Sequence, residues 1–208
     1  MATDHTLAAP ELDGVEVHGM TRSTFVLRGA LAAGAVYGAT VVSPFVSQAL
    51  AQTEAGDIEI LNFALTLEYL EADFYKKAAT LKLSGDVKKF ATQFGADETA
   101  HVGALEKTIT DLGGKPVAKP TFSFPITNEM SFLKLAQTLE DTGVSAYNGA
   151  GPMIKSTEVL GAAGSIVQVE ARHAAMIRLF NGAQPAPNAF DPTLSVKKVT
   201  AAVAPLIK

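Results

Sequence analysis

The chain has 208 residues, of which 48% are hydrophobic and 18% are charged, with a net charge of −4 and no cysteine. So apolar a composition excludes an intrinsically disordered chain, and the length is sufficient for one large core or two small ones. The negative charge and the lack of a basic stripe argue against nucleic-acid binding. The absence of cysteine excludes disulfides, Cys-ligated zinc and iron–sulfur clusters.

Residues 1–51 are predicted to be an N-terminal extension followed by an export signal. A positively charged lead at residues 21–28 precedes an apolar, alanine-rich run at residues 29–42, and Ala49-Leu50-Ala51 matches an A-x-A cleavage site. The lead resembles a twin-arginine signal, but Ser23 occupies the position of the second arginine, which leaves the general secretory route open. We expect a periplasmic or extracellular protein.

The sequence leaves two points about this segment open. Residues 29–51 carry no charge, and a run of this length can just span a hydrocarbon layer of about 30 Å. An uncleaved membrane anchor is therefore the alternative to a cleaved signal. The start of translation is also open, because Met20 directly precedes the charged lead and residues 1–19 have no assigned role.

Beyond residue 52, apolar residues recur at helical spacing and predict four helices. We place these helices at residues 57 to about 83, 86 to 112, 129 to 154, and 157 to 180. Gly113 and Gly182 follow the second and fourth helices, whereas Gly149 and Pro152 predict a kink or an early end in the third. A short amphipathic helix is expected at about residues 194 to 204.

The lengths of the connections decide the predicted topology. Short turns join helices 1 and 2, and also helices 3 and 4, so that each pair should be antiparallel. Residues 115–128, between helices 2 and 3, contain three prolines and predict a long extended crossover. We therefore predict an all-α fold, in which residues 52–182 form a four-helix bundle with one long crossover. Residues 183–208 form a tail with the short helix.

A pattern of glutamate followed by Glu-x-x-His occurs twice in this predicted bundle. Within each copy the first glutamate precedes the motif by 30 residues, and the second copy follows the first at an offset of 72 residues. One glutamate from each of two helices and one Glu-x-x-His from each of the other two is the ligand set of a dinuclear metal site in a four-helix bundle. The six candidate ligands are Glu68, Glu98, His101, Glu140, Glu170 and His173.

These ligand candidates fall in the middle of apolar stripes with steps of three and four residues, which mark the inward face of a helix. A buried carboxylate without a partner costs several kcal/mol or becomes protonated, and four together also repel one another. Two divalent cations would balance the charge of four glutamates, and neutral imidazoles would complete the coordination. We therefore predict two divalent metal ions, and hard carboxylate ligands favour iron or manganese.

Glu71 competes with Glu68 for the ligand position on helix 1, because it lies one turn further along the same helix. Under the 72-residue offset Glu68 matches Glu140, whereas Glu71 matches Gly143. The repeat therefore favours Glu68 as the ligand. We expect Glu71 to be a charge at the edge of the buried stripe.

Four further polar residues lie near the candidate ligands. Tyr75 and Tyr147 are two turns from glutamates on the same helix face, where they could donate hydrogen bonds to ligands, relay radicals, or simply belong to the core. Asp97 and Asp141 are adjacent to ligands in sequence and therefore point about 100° away on a helix. Whether one of them accepts a hydrogen bond from a ligand histidine across the bundle is left open. The sequence assigns no catalytic or substrate-binding residue.

Taken together, these segments resemble a ferritin-like family of exported bacterial proteins related to the plant desiccation-related proteins. The resemblance covers about residues 55–207 and is carried by residues 65–75, 97–101, 139–147, 170–173 and 187–191. It implies the ferritin-like four-helix fold, bound iron or manganese, and chemistry with O₂ or peroxide.

Three functions are compatible with this pattern. The leading hypothesis is oxidation of Fe(II) by O₂ or peroxide in protection against oxidative stress. A manganese-catalase-like disproportionation of peroxide is one alternative. The other is a non-enzymatic protein of the cell envelope, protective under drying, in which the metal only staples the bundle. Assembly into a homo-oligomer is left open, although an export signal argues against a large storage cage.

Overall fold

The computed structural model describes residues 56–208. These residues form α1 (Asp57–Ala78), α2 (Gly85–Asp111), α3 (Glu129–Ala150), α4 (Thr157–Phe180) and α5 (Val196–Val203), with 3₁₀ turns at Gly151–Met153 and Ala204–Leu206. The predicted all-α fold with a short C-terminal helix is confirmed for this part of the chain. None of the helices described here has the length and apolarity needed to cross a membrane. The predicted export signal or anchor lies outside the described residues.

Helix α1 is antiparallel to both α2 and α3. Tyr69 on α1 donates a hydrogen bond to Glu106 on α2, and Tyr75, further along α1, packs against Gly95, which precedes Glu106 on α2. Between α1 and α3, Tyr75 bonds to Glu140 and Glu68 bonds to Tyr147, so residue numbers again rise on one helix as they fall on the other. Because α2 and α3 are both antiparallel to α1, they are parallel to each other. The chain between them must therefore return along the length of the bundle, which is why the crossover is long.

Helix ends agree with the sequence except at the end of α1. This helix ends at Ala78, five residues before the predicted end, because the N–H groups of Thr80 and Leu81 bond to carbonyls three residues earlier and tighten the chain into a turn. Helix α3 ends at Ala150, where the glycine-rich segment with Pro152 had predicted an early end.

Side-chain caps define the starts of α3 and α4. Asn128 accepts a hydrogen bond from the N–H of Ser131, whose hydroxyl accepts in return from the N–H of Asn128, and so forms a capping box. Ser156 accepts from the N–H of Val159 at the start of α4. The carboxylate of Asp57 accepts from the N–H groups of Lys155 and Ser156, each at 2.8 Å. This contact ties the start of α1 to the segment before α4.

The crossover and the C-terminal tail lie against the bundle and against each other. Phe122 in the crossover forms an antiparallel bridge with Ile207, supported by a 2.8 Å hydrogen bond from Ser123 N–H to the Leu206 carbonyl. The tail reaches α3 at Gly149, where a Cβ atom would lie only 2.0 Å from the carbonyl oxygen of Leu194. Glycine at this position allows the tail to pack directly on the helix backbone.

The apolar core of the bundle is divided into two clusters. One contains the stacked rings of Phe74 and Phe132, with centroids 5.2 Å apart, and the other is built around Leu65 and Ile109. On α1, Glu68 lies between the residues of the second cluster and those of the first. The candidate metal centre thus occupies the middle of the bundle, between two layers that exclude water.

Candidate metal centre

The four glutamates of the repeated pattern are buried at the middle of four different helices. Glu68 on α1, Glu98 on α2, Glu140 on α3 and Glu170 on α4 each have 0% exposed surface. Four carboxylates without access to water are rare in proteins unless a cation or a proton compensates their charge. Their convergence is the main chemical fact about this bundle.

The first group of candidate ligands, here called site 1, is centred on His101. Its Nδ1 lies 3.2 Å from Glu68 Oε2, 3.0 Å from Glu98 Oε2 and 3.1 Å from Glu170 Oε1. One ligand atom from each of these four residues lies within 4.8 Å of the others, which is a separation compatible with a shared metal ion. Site 1 therefore consists of one imidazole and three carboxylates from α1, α2 and α4.

The second group, here called site 2, is centred on His173. Its Nδ1 lies 2.9 Å from Glu98 Oε1 and 3.6 Å from Glu140 Oε2, and Glu170 completes the group within the same 4.8 Å limit. Glu98 and Glu170 belong to both sites, whereas each site has one glutamate and one histidine of its own. Two neighbouring metal positions that share two carboxylates form a dinuclear centre.

Two tyrosines extend the internal symmetry of the centre. Tyr75 on α1 donates a hydrogen bond to Oε1 of Glu140 on α3, and Tyr147 on α3 donates a 2.6 Å hydrogen bond to Oε1 of Glu68 on α1. The 72-residue offset converts one bond into the other, and it also converts site 1 into site 2. Each tyrosine thus fixes the carboxylate that belongs to a single site.

The atoms that point into the centre have the properties expected of metal ligands. Oε1 of Glu98, Oε2 of Glu140, both oxygens of Glu170 and Nδ1 of His173 are buried and make no hydrogen bond of acceptable geometry. Buried polar atoms without such a bond cost about 1–3 kcal/mol each unless another partner binds them. Divalent cations would satisfy these atoms together, so the residues present fit a dimetal centre.

A family profile described as the ferritin-like domain matches residues 56–183, which include all of these residues. The chain belongs to the ferritin-like domain family. A desiccation-related protein, PCC13-62 from Craterostigma plantagineum, is 26% identical over an alignment of 163 residues, and the match covers 59% of this chain and 52% of that protein. The chain thus matches about half the length of this relative. The resemblance stated from the sequence is confirmed.

A solved structure supports the fold independently of the sequence. A conserved hypothetical protein, rv2844, from Mycobacterium tuberculosis superposes with a TM-score of 0.56 and 18% sequence identity. The superposition covers 64% of this chain and 96% of the mycobacterial chain. At this identity the likeness concerns the ferritin-like fold alone.

The surroundings of the carboxylates in this ferritin-like centre raise most of their pKa values. Burial raises the pKa of Glu68 to about 8, although the hydrogen bond with His101 opposes the shift. Burial also raises the pKa of Glu140 and, with added repulsion from the neighbouring carboxylates, raises that of Glu170 well above its usual range. These carboxylates therefore hold protons readily unless a cation replaces them.

The remaining groups shift in the direction that their close partners impose. Burial alone would raise the pKa of Glu98, but close contacts with His101 and His173 outweigh it and lower the value to about 2. Burial alone would lower the pKa of the imidazoles, but the carboxylates raise it to about 12 for His101 and about 10 for His173. Each imidazole must release a proton before it can bind a metal.

Glu71 is a fifth carboxylate of the centre, and the expectation that it lies at the edge of the stripe is wrong. Its side chain is only 3% exposed. A Cβ atom at Gly143 would lie 3.3 Å from both Glu71 Oε1 and Glu170 Oε2, so the space that Gly143 leaves open holds the Glu71 carboxylate. Burial and repulsion by Glu170 raise the pKa of Glu71 well above its usual range. The glycine opposite Glu71 was the signal for its burial.

The two aspartates next to the ligands have different partners. Asp97 Oδ2 lies 3.3 Å from Nε2 of His173, so this aspartate reaches a candidate ligand across the bundle. Asp141 instead lies 2.5 Å from a guanidinium nitrogen of Arg178, on the outer side of the bundle. A further contact that the sequence did not indicate is the stacking of Phe94 on His173, with ring centroids 3.9 Å apart.

Proposed function

We propose that the protein is an exported dimetal-carboxylate protein that oxidises Fe(II) with O₂ or peroxide in protection against oxidative stress. The observation that carries this proposal is the pair of buried Glu/His groups that share Glu98 and Glu170. Two Fe(II) ions held by these residues would each supply one electron, and the two electrons with two protons would reduce O₂ to hydrogen peroxide, or hydrogen peroxide to two water molecules. The hard oxygen ligands and imidazoles suit iron or manganese.

For this chemistry the residues of the protein orient the ligand carboxylates, balance the metal charge and exclude water. Tyr147 and Tyr75 hold the carboxylates of Glu68 and Glu140 through hydrogen bonds, so each oxygen stays aimed at its site. The four glutamates of sites 1 and 2 carry a negative charge that two divalent cations balance. This charge also favours oxidation of Fe(II) to Fe(III), which increases the positive charge of the metal. The two apolar clusters keep bulk water away from the reacting atoms.

An apolar cavity beside Tyr147 favours O₂ as the oxidant. The cavity has a volume of about 20 Å³, enough for one small molecule, and is lined by residues such as Ile60, Ala146 and Tyr147. Under the 72-residue offset Ile60 and Ala146 correspond to Phe132 and Phe74, which are larger and whose rings stack on each other. The apolar lining of this cavity suits a nonpolar gas better than peroxide, which needs hydrogen-bond partners.

A second function is favoured by one comparison. The relative from Craterostigma plantagineum carries the name desiccation-related protein, and the match to it includes about three fifths of this chain. The corresponding proposal is a non-enzymatic protein that protects the cell envelope under drying, in which metal ions serve only to hold the bundle together.

Export is part of both proposals and rests on residues 21–51 of the sequence. We expect the protein isolated from its native host to be found outside the cytoplasm and to begin at Gln52. Intact-mass measurement of the purified protein checks this expectation. A chain that retains residues 29–51 and fractionates with membranes would instead support the anchor.

Metal content and oxygen uptake separate the functional proposals. The protein is stripped with a chelator, reloaded anaerobically with Fe(II), freed of unbound metal and mixed with O₂ in an oxygen electrode. The redox proposal predicts about two Fe per chain and rapid O₂ uptake. Oxygen release from peroxide by the manganese-loaded protein would indicate catalase chemistry instead. Metal binding that raises the melting temperature without turnover would support the protective role.

Matched variants connect either result to the centre. Glu68→Ala and His173→Ala should abolish metal-dependent turnover, whereas Glu59→Ala should not, because Glu59 is exposed near the start of the same helix as Glu68. Full activity in both of the first two variants would refute the proposed centre. Fewer than one Fe or Mn per chain after reconstitution would refute both enzymatic functions.

A further inference from the structure

The two sites of the centre are related by the 72-residue repeat, but their surroundings are unequal. Asp97 contacts Nε2 of His173 in site 2, and the residue that the offset places opposite His101 is Val169, which has no acceptor. A carboxylate on the distal nitrogen of a metal-binding imidazole fixes its tautomer and orientation and makes the imidazole a stronger ligand. Within the described part of the chain, only site 2 has this arrangement.

The two histidines also differ in packing. Phe94 stacks on the His173 ring with an interplanar angle of 26°, and the offset places Ile166 in the corresponding position for His101. The His173 side chain is 3% exposed and the His101 side chain 11%. His173 is therefore held between an aromatic ring and a carboxylate, whereas His101 is closer to solvent.

The fifth carboxylate adds to the same asymmetry. Glu71 fills the space at Gly143, one turn from Glu140, which belongs to site 2 alone. Among the four glutamates of sites 1 and 2, Glu170 and Glu140 repel the charged form of Glu71 most strongly, and Glu68 repels it least. Once a cation displaces its proton, the Glu71 carboxylate strengthens the attraction of site 2 for that cation, whether Glu71 binds it directly or through water.

We propose that site 2 is the tight, resident metal position and that site 1 is the weaker, exchangeable one, with Asp97 and Glu71 as the residues that make them unequal. The inference rests on metal binding by the proposed centre but does not depend on its redox chemistry. During Fe(II) oxidation, substrate iron would therefore enter and leave through site 1, beside the partly exposed His101, while the metal ion in site 2 stays bound.

Stepwise titration with Co(II) tests this order, because Co(II) is stable in air-free buffer and its visible absorption reports each coordination sphere. We expect the chelator-stripped protein to bind two Co(II) ions in two steps that differ at least about 10-fold in affinity. Glu140→Gln should remove the tight step and Glu68→Gln the weak one. Two steps of equal affinity in the unmodified protein would overturn the proposal.

Asp97→Asn gives the sharpest variant, because Asp97 is about one-third exposed and its replacement should leave the fold intact. We expect the tight step to weaken about 10–100-fold and the weak step to stay within about 3-fold. Glu71→Gln should also weaken mainly the tight step, whereas the exposed Glu59→Gln should change neither. Loss confined to the weak step in Asp97→Asn would contradict the proposal. Two unequal steps without O₂ uptake would leave it standing and refute only the redox function.

Discussion

Tyr147 on α3 donates a 2.6 Å hydrogen bond to Glu68 on α1, so that a buried phenol holds a buried carboxylate at the centre of the bundle. Burial and the charge of Glu68 raise the pKa of Tyr147 well above its usual range, which keeps the phenol protonated as a donor. The equivalent bond between Tyr75 and Glu140 makes the same contact from α1 to α3. These two bonds join the two helix hairpins across the candidate metal centre.

Removal of the Tyr147 hydroxyl should weaken site 1 selectively. In Tyr147→Phe the Glu68 carboxylate loses its donor, so we expect a loss of about 1–3 kcal/mol in the free energy of unfolding of the stripped protein. We also expect about 10–100-fold weaker binding of one metal ion. Urea unfolding and Co(II) titration measure the two effects. Tyr75→Phe should instead affect the step that belongs to Glu140.

Tyr69→Phe is the matched control, because the Tyr69 hydroxyl donates to Glu106 outside the centre. This change should leave both metal-binding steps intact. Equal effects of Tyr147→Phe and Tyr75→Phe on the same step would show that the tyrosines do not act on separate sites.

The shared carboxylates should behave differently from the unshared ones. Since Glu98 and Glu170 belong to both groups, Glu98→Gln or Glu170→Gln should lower the binding of both metal ions. Glu68→Gln or Glu140→Gln should remove one ion and leave the other. Metal content after gel filtration, determined by plasma emission spectroscopy, distinguishes about zero from about one ion per chain. One retained ion in all four variants would contradict the sharing of ligands.

The repeat explains why so much of the centre could be predicted from the sequence. Glu68 and Glu140, like the two Glu-x-x-His motifs, lie on inward helix faces, and helical periodicity fixes a face once the helix is placed. The connection lengths fixed the topology for a similar reason, since parallel helices need a long link. These are local rules, and they hold wherever packing does not override them.

What the sequence did not predict depends on contacts between distant helices. The repeat predicts Glu71 at the edge of the stripe because its partner is Gly143, yet that glycine opens the space that the carboxylate fills. The contact of Asp97 with His173 and the stacking of Phe94 likewise depend on how α2 and α4 face each other. The early end of α1 follows from a tight turn, and the amino-acid composition of residues 79–83 does not indicate this turn.

The stability of the stripped protein should fall as the pH rises from about 5 to 8. The pKa of Glu68 is about 8 in the folded protein and 4.5 ordinarily, so its contribution is fully present below pH 4.5 and is lost as the pH rises through 8. The pKa of His173, raised from 6.5 to about 10, acts in the same direction over a higher window. The pKa of Glu98 is lowered to about 2, so its contribution to the stability of the protein is lost only as the pH falls below 4.5.

Melting curves with and without metal measure this pH dependence. We expect the melting temperature of the stripped protein to decrease across the interval, and added Mn(II) to raise it more at pH 8 than at pH 5, because the ligands must release protons to bind. Glu68→Gln should reduce the slope, as it removes one of the titrating groups. A melting temperature independent of pH in the stripped protein would argue against the raised pKa values.

The contact between the tail and α3 should make Gly149 sensitive to a single methyl group. A Cβ atom at Gly149 would lie 2.0 Å from the Leu194 carbonyl oxygen, and Leu194 N–H also bonds to the Ser145 carbonyl at 3.0 Å. Gly149→Ala must therefore displace the tail, and we expect a loss of about 1–3 kcal/mol in the free energy of unfolding.

Gly103→Ala is the control, because a Cβ atom at this exposed position inside α2 would meet no other atom within 4 Å. This change should add about 0.5–1 kcal/mol, since alanine is the better helix former. Urea unfolding measures both, and a loss of stability in Gly103→Ala equal to that in Gly149→Ala would show that the effect is not specific to the contact with the tail.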